Sequence, residues 1–589
     1  MKVLARLTLG VCLCAAALWA AAPAPQPING NEELARLDNV TGHYGGRLVV
    51  GQRSEPKTLN PATATDAISR EVIGRLHADL IEINRATQNT EPALAKSWKV
   101  SPDGRTFTLK LRKGIRFSDG HPFDADDVIF SFAVYLDEAV GSPQRDLLMI
   151  DGKAPVITKL DSYTVKFVLP RPYAAAERLF DGFAILPRHI LEKPYREGKF
   201  TQAWALNTPA AEIVGLGPFR VKQYWPGQRI LLERNPFYWK TDNGNHRLPY
   251  LDELVFLFVG SEDAQVMRFE AGETDLINRL SSENYGLLSK EKTRTQTQLV
   301  DLGPSLEYNF LLFNLNDLSG KKLDAVTRKQ SWFQDVKFRQ AVSAAIDRDS
   351  IVKLVYGTRG IPLWGNVGPG NKMWVNSSLP HPARSLGTAR QLLRSAGFTW
   401  SASGQLLDRT GQPVDFSIVT SSSNAQRMKM ATLLQDDLSQ LGMQVHVAPL
   451  EFRAMIDRVF QSFDYEAAIM GLGGGDADPN PEMNVWLSSG STHLWRMNET
   501  QPATAWEREI DQLMNEQMVT LAYRKRKKLY DRVQQIISEQ LPFIFLATPN
   551  ILAGAKAEIG NFQPAVLDHY TLWNADQLYL RNAESAGVR

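Results

Sequence analysis

Apolar residues recur along this chain in two rhythms. Residues 47–51 (RLVVG) form a short apolar run that predicts a strand. Over 67–83, Val72, Ile73, Leu76 and Leu80 fall on one stripe at helical spacing, which predicts a helix. Phe107, Leu109 and Leu111 alternate with Thr106, Thr108, Lys110 and Arg112, the pattern of a half-buried strand. The turn before it, Ser101-Pro102-Asp103-Gly104, uses proline to preset φ and glycine to accept a positive φ. Asp124 or Ala125 opens a helix through Val128, Phe132 and Tyr135, with acidic residues in its first turn. A helix over 336–346 is followed by one over 348–356, capped by Asp347 and stopped by Gly357. Met430, Leu433, Leu434, Leu438 and Leu441 predict a helix over 427–441, and Gly442 ends it. Met443, Val445 and Val447 then alternate as a strand, 452–460 reads as a helix and 465–470 as a strand. Strands and helices in this rhythm predict an open α/β sheet, where ligands sit beyond the carboxyl ends of strands. The glycine-rich run 471–475 (GLGGG) follows such an end.

Length divides this pattern into units. A chain of 589 residues exceeds what one hydrophobic core supports, so several domains are expected. No apolar run after residue 30 reaches the roughly 18 residues that a membrane span needs. Residues 1–24 read as a secretory signal peptide: Lys2 and Arg6, an apolar stretch over 7–19, then alanines. Both cysteines, Cys12 and Cys14, fall inside it, which excludes disulfides and cysteine metal sites from the remainder. Val11 and Leu13 precede them where a lipid-attachment signal wants a small residue, so a free exported protein is expected rather than a lipoprotein. Residues 23–42 read as a loose N-terminal arm. Without Lys2 and Arg6 the chain carries 64 basic against 64 acidic side chains, which argues against a nucleic-acid binder. The one basic run, Arg524 to Lys528, sits between apolar helix positions and is expected to be a solvated helix face.

Catalytic machinery is not apparent. The chain contains no HExxH, no Gly-x-Ser-x-Gly and no phosphate-cradling Gly-x-x-x-x-Gly-Lys, and its nine histidines include no pair at i, i+4. Five blocks in order instead resemble one family. They begin with Glu91-Pro92-Ala93-Leu94-Ala95-Lys96-Ser97-Trp98, Pro102-Asp103-Gly104 and Leu111-Arg112-Lys113-Gly114-Ile115-Arg116-Phe117-Ser118-Asp119-Gly120. Gly215-Leu216-Gly217-Pro218-Phe219 with Glu233-Arg234-Asn235-Pro236-Phe237-Tyr238-Trp239 follows, then Phe338-Arg339-Gln340-Ala341 with Ala344-Ala345-Ile346-Asp347-Arg348. Leu441-Gly442 and Gln540-Leu541-Pro542-Phe543-Ile544 complete the series. Together they are similar to the family 5 extracellular solute-binding proteins, the dipeptide, oligopeptide and nickel-type binding proteins of ABC importers. The resemblance implies a two-lobed α/β periplasmic-binding-protein fold of type II, in its large form. Lobe one would comprise 45–85, 205–312 and 546–589, an inserted α+β domain 86–204, and lobe two 313–545.

It also implies a non-enzymatic function: a periplasmic monomer, without cofactor, that binds a peptide or peptide-like solute between its lobes and delivers it to a membrane permease. A nickel chelate, an oligosaccharide, or an exported chaperone or enzyme on the same scaffold are the alternatives. Candidate ligand-binding residues follow from position and chemistry. Gly474 and Gly475 let backbone approach a ligand closely, and Asp476 could pair with an ammonium group. In peptide-binding relatives an Asp just before the Asp-Pro or Glu-Pro of this loop takes that role; here Asp476 precedes Asp478-Pro479 by two residues rather than three. A structural Asp-Pro turn is the other reading. A calcium loop is disfavoured, because Pro481 stands where glycine is needed and Leu487 where the bidentate Glu belongs. Trp364, Trp374, Trp486 and Trp495 are candidate apolar walls of a pocket. Thr65, Asp66 and Ala67 match the position where relatives pair main chain with an extended peptide, and Tyr308 and Asn309 begin a strand near the expected lobe crossover.

Overall fold

The computed structural model describes residues 23–38, 41–150, 152–291, 296–473, 477–567 and 570–581. The signal segment up to residue 22, with both cysteines, lies outside them, as do Gly474, Gly475 and Asp476.

One mixed sheet of twelve strands runs through both halves of the molecule. In chain order these are β1 (Arg47–Gln52), β2 (Phe219–Trp225), β3 (Arg229–Arg234), β4 (Glu253–Phe258), β5 (Leu276–Ile277), β6 (Thr297–Pro304), β7 (Tyr308–Phe313), β8 (Gly360–Pro362), β9 (Asp415–Ser421), β10 (Gln444–Leu450), β11 (Ala467–Leu472) and β12 (Phe543–Lys556). Their spatial order is β10-β9-β11-β7-β12-β5-β1-β4-β3-β2, with β6 and β8 also paired to β12. β12 is fourteen residues long and serves both halves. Its first part pairs with β7 (Leu312↔Phe543 to Asn309↔Ala547), and its second part pairs with β6 (Pro304↔Asn550 to Thr297↔Lys556).

The chain therefore passes between halves at 304–308 and at 547–550. These two crossings are tied together. Ser305 N donates to Pro549 O at 2.9 Å, and the hydroxyls of Ser305 and Thr548 share a hydrogen bond of 2.9 Å. β7 packs wholly in the second core, with Phe310, Leu311, Leu312 and Phe313 buried there. The first crossing thus precedes the boundary expected at 312/313.

The first core gathers β1–β4 and the segment 86–204 into one continuous apolar body. That segment forms a four-stranded antiparallel sheet, Ala95–Val100, Thr106–Leu111, Thr164–Val168 and Val156–Asp161. Among the helices of the first half are α1 (Ala67–Leu76) and α2 (Ala125–Leu136), which carries a capping box between Asp124 and Asp127. Helix α1 stops at Leu76, short of the expected 83. The Leu76 carbonyl accepts from Gly217 N at 2.9 Å, and the chain turns away into the short strand Ile81–Ile83. Only glycine fits that approach, because a Cβ at 217 would stand 2.4 Å from the Leu76 carbonyl carbon. The N-terminal arm is not loose. Ala35–Arg36 pairs with Lys240–Thr241, Glu33 bridges Lys96 at 2.7 Å, and Glu32 meets the buried Arg247 at 2.7 Å.

The second core holds the helices α3 (Ala425–Ser439), α4 (Ala505–Val519) and α5 (Tyr523–Gln540). Asp347 and Gly357 bound the helix Arg348–Tyr356 as expected: Asp347 accepts from Ser350 N, and Gly357 adopts a left-handed φ of 53°. The helix expected over 452–460 is α-helical only to Asp457, then widens into a π-turn over Arg458–Ser462. At the centre of this core, Phe543 stacks on Phe310 at 4.0 Å and meets Trp486 and Trp495 at 5.5 and 5.2 Å. Removing that ring opens a cavity under β12, and large-to-small core changes of this kind cost about 3–5 kcal/mol. We expect Phe543→Ala to lower stability by that amount, and Phe543→Leu by about 1.5 kcal/mol or less, in equilibrium denaturation followed by tryptophan fluorescence. Equal, small effects from both would show that the ring is not a packing centre.

Candidate functional site

Strand β11 runs antiparallel to β7 and ends beside the crossing, at Leu472 opposite Tyr308. A small pocket of about 20 Å³, partly open to solvent, lies there. Its walls come from the crossing segment (Leu306), the loop after β8 (Asn366 to Gly368, Asn371), the segment after β11 (Ala477 to Pro479, Glu482) and α5 (Tyr530). Ala477 and Leu306 also join Ile83 and Leu567 in a small apolar cluster, so this corner touches the first half. A second contact between halves lies at the inserted sheet, where Ala174 N donates to Met518 O at 2.7 Å.

Two carboxylates in this pocket have opposite fates. Asp478 is buried and fully committed: Arg526 grips both its oxygens at 2.6 Å, and the same guanidinium donates to Asn480 and Gln517 at 2.8 Å and lies over Trp374. Glu482 has no cationic partner among the described residues. Trp486 Nε1, Asn366 Nδ2 and Tyr530 OH all donate to its Oε2, at 2.7, 3.1 and 3.2 Å. Burial pushes the Glu482 carboxyl above its usual range, against the pull of those three donors. Beside it, the side-chain oxygen of Asn366 is buried and accepts no hydrogen bond from the described residues. The pocket thus offers acceptors and calls for a donor or a cation.

The sequence-predicted residues divide around this pocket. Asp478-Pro479 lies in its wall, while Gly474, Gly475 and Asp476 fall in the adjoining segment outside the described residues. Trp374 backs Arg526 and packs on Tyr530, at 6.0 Å between rings. Trp486 and Trp495 are not pocket walls: both are enclosed in the second core, and their indole N–H groups donate to Glu482 and Glu507. Trp364 is half-buried and stacks on His381 at 4.4 Å, apart from the pocket lining. Tyr308 is also core, packed on Phe545 and Phe310. Asn309 is buried in a polar knot: it accepts from Arg427 Nε at 2.9 Å and donates to Tyr356 OH at 3.1 Å. In the first half Thr65 and Ala67 are exposed at the start of α1, and Asp66 is its N-cap, accepting from Ser69 N and Oγ at 2.9 and 2.8 Å.

Sequence reasoning missed Asn366, Glu482, Tyr530 and Arg526. Arg526 corrects the reading of the basic run as a solvated face. It stands four residues before Tyr530 and seven before Val533, on the buried stripe of α5. The other pocket residues are single polar side chains on separate elements, and no periodicity marks them.

Comparison with known proteins places this geometry in a family. The model for bacterial extracellular solute-binding proteins, family 5, matches residues 89–493. A probable ABC transporter-binding protein of Deinococcus radiodurans is 30% identical over 520 residues, 84% of this chain and 85% of its own. The oligopeptide-binding protein AppA of Bacillus subtilis is 26% identical, over 86% of this chain and 87% of its own. The solved structure of AppA in complex with a nonapeptide superposes with a TM-score of 0.70, covering 92% of this chain and all of that one. The two halves around a shared sheet are those of a two-lobed type II binding protein, and the chain belongs to the family 5 bacterial extracellular solute-binding proteins.

Proposed function

We propose that this chain is the periplasmic binding component of an ABC importer and carries a peptide or peptide-like solute, as a monomer without catalysis, to a membrane permease. The single observation that carries the peptide reading is the acceptor-rich pocket at the crossing, where, among the described residues, the Asn366 oxygen has no donor and the Glu482 carboxylate, held by neutral donors, has no cation. A free α-ammonium group supplies both. Relatives named for oligopeptides share the fold over nearly the whole chain, which supports the same reading. Asp478 is excluded as the counter-charge, because Arg526 already neutralises it. We assign that role to Asp476 and the neighbouring acceptor role to Glu482. Export follows from residues 1–24, and no helix among the described residues is long and apolar enough to cross a membrane.

Removing one side of a desolvated charge pair costs about 2–5 kcal/mol. Asp476→Asn should therefore weaken a short peptide by roughly 30-fold or more in calorimetric titration, and N-terminal acetylation of the peptide should erase the difference between mutant and wild type. Wild-type affinity that ignores acetylation would remove the ammonium from the account.

Glu482 gives the binding a pH signature. Its raised pKa means that it holds a proton at pH values where an ordinary carboxylate has lost one, and a bound ammonium favours the ionised form. Affinity should rise with pH through that raised pKa and level off above it, with proton release on binding in the lower range. The stability of the free protein has the opposite slope: the protonated group's contribution is lost as pH rises through its folded pKa. Glu482→Gln should flatten both profiles, measured by titration in buffers of different ionisation enthalpy and by thermal melts.

Only 304–308 and 547–550 cross between the halves within the sheet, so a hinge there should close on ligand. Small-angle scattering is expected to give a smaller radius of gyration with saturating peptide. An unchanged radius would count against capture by closure.

A further inference from the structure

A second polar centre lies inside the second half, on residues that the pocket does not use. The chain from Leu487 to Thr504 carries no helix or strand before α4 begins, and three side chains from this stretch and the first turn of α4 converge. His493 is completely enclosed. Its Nδ1 lies 3.1 Å from Val485 O, and a carbonyl can only accept, so Nδ1 carries the proton. In the neutral ring Nε2 is then a bare lone pair. It faces Glu499 Oε2 and Glu507 Oε1, each at 3.8 Å, too far for a hydrogen bond. Among the described residues, neither His493 Nε2 nor Glu499 Oε2 has a hydrogen-bond partner.

With the imidazole neutral, three acceptors point at one another, His493 and Glu507 buried and Glu499 partly buried, and the three ligand atoms all lie within 4.8 Å of each other. Ligand atoms about 2.0–2.2 Å from a shared ion, at angles of about 110–130°, stand roughly 3.3–4 Å apart. The surrounding shell is of the kind that orients metal ligands. Val485 O fixes the histidine tautomer. Thr504 N and Oγ1 hold Glu507 Oε2 at 2.8 and 2.7 Å, and Trp495 Nε1 holds Oε1 at 2.9 Å.

We propose that His493, Glu499 and Glu507 form a binding site for a divalent transition-metal ion of the Zn²⁺ type, separate from the ligand pocket, which clips the irregular stretch 487–504 to α4. One imidazole and two carboxylates suit such an ion, with a water completing four-coordination. The site does not depend on the peptide reading.

Arg496 is the competing cation. Its Nη1 lies 3.7 Å from Glu499 and its Nε 3.9 Å from Glu507, without a hydrogen bond from Nε. Its side chain is 21% exposed, so it has a path outward when an ion enters.

The test uses the full exported chain, stripped with a chelator and titrated with Zn²⁺ against a chromophoric competitor, with Co²⁺ as a spectroscopic probe. One equivalent should bind, raise the melting temperature and give a four-coordinate Co²⁺ spectrum. His493→Gln and Glu499→Gln should each weaken Zn²⁺ by more than the roughly 10- to 100-fold typical of losing a supporting residue, with peptide binding unchanged. Arg496→Gln should bind Zn²⁺ several-fold more tightly. The proposal is overturned if wild type and His493→Gln bind Zn²⁺ alike. It is equally overturned if Arg496→Gln lowers the melting temperature and Zn²⁺ does not restore it, since the arginine is then the resident counter-charge. Should a glutamine variant fail to fold, the wild-type Co²⁺ spectrum decides: an octahedral spectrum or none overturns the site.

Discussion

Backbone hydrogen bonding along Phe543–Lys556 is the constraint on which the rest of this molecule depends. A strand has two edges, and β12 spends them on both halves: β7 and β8 take its first part, β6 and β5 its second. Every buried N–H and C=O along it needs a partner. Neither half can therefore move off the strand without breaking its own sheet. Relative motion is confined to the places where register already slips, between Asp301 and Pro304 and between Asn309 and Phe310. The pocket lies against that confined region, which is why one wall residue, Leu306, belongs to the crossing itself.

Charge is handled in this pocket by two different means. Asp478 is buried with its guanidinium, and the pair carries further bonds to Asn480 and Gln517, so all its polar capacity is used within the lobe. Such a pair fixes geometry more than it adds stability. Glu482 is buried with neutral donors only, and its proton affinity rises as a result. The first arrangement makes a rigid wall. The second leaves a group whose charge answers to what arrives.

Much of the fold was legible in the sequence, because the periods that bury apolar side chains are local. The helix between Asp347 and Gly357, the helix that opens at Asp124 and the strand at Phe107 to Leu111 all stand where the sequence pattern puts them. The misreadings share one cause, contacts that are distant along the chain. Leu76 ends its helix because Gly217 reaches its carbonyl, and residues 33–36 are ordered by Lys96 and by the strand Lys240–Thr241. The site was legible only in part. The segment around Asp478-Pro479 was found through its glycines, but composition could not tell core tryptophans from pocket walls, and Trp486 and Trp495 proved to be core. Arg526 was hidden by its neighbours: in a run of five basic residues, only its place on the stripe with Tyr530 and Val533 distinguishes it.

The position of β12 along the chain sets the order of assembly. It begins at residue 543 of 589, so both halves wait for almost the last segment of the chain before either sheet is complete. Until then β7 and β6 each present an unpaired edge, and pairing across more than two hundred residues must precede any stable closure. A chain threaded outward from its N-terminus thus stays short of its native state for nearly its whole length. Incompleteness of that kind leaves strand edges open for most of the chain's synthesis, and it defers the end of the risk of edge-to-edge association until the last strand arrives.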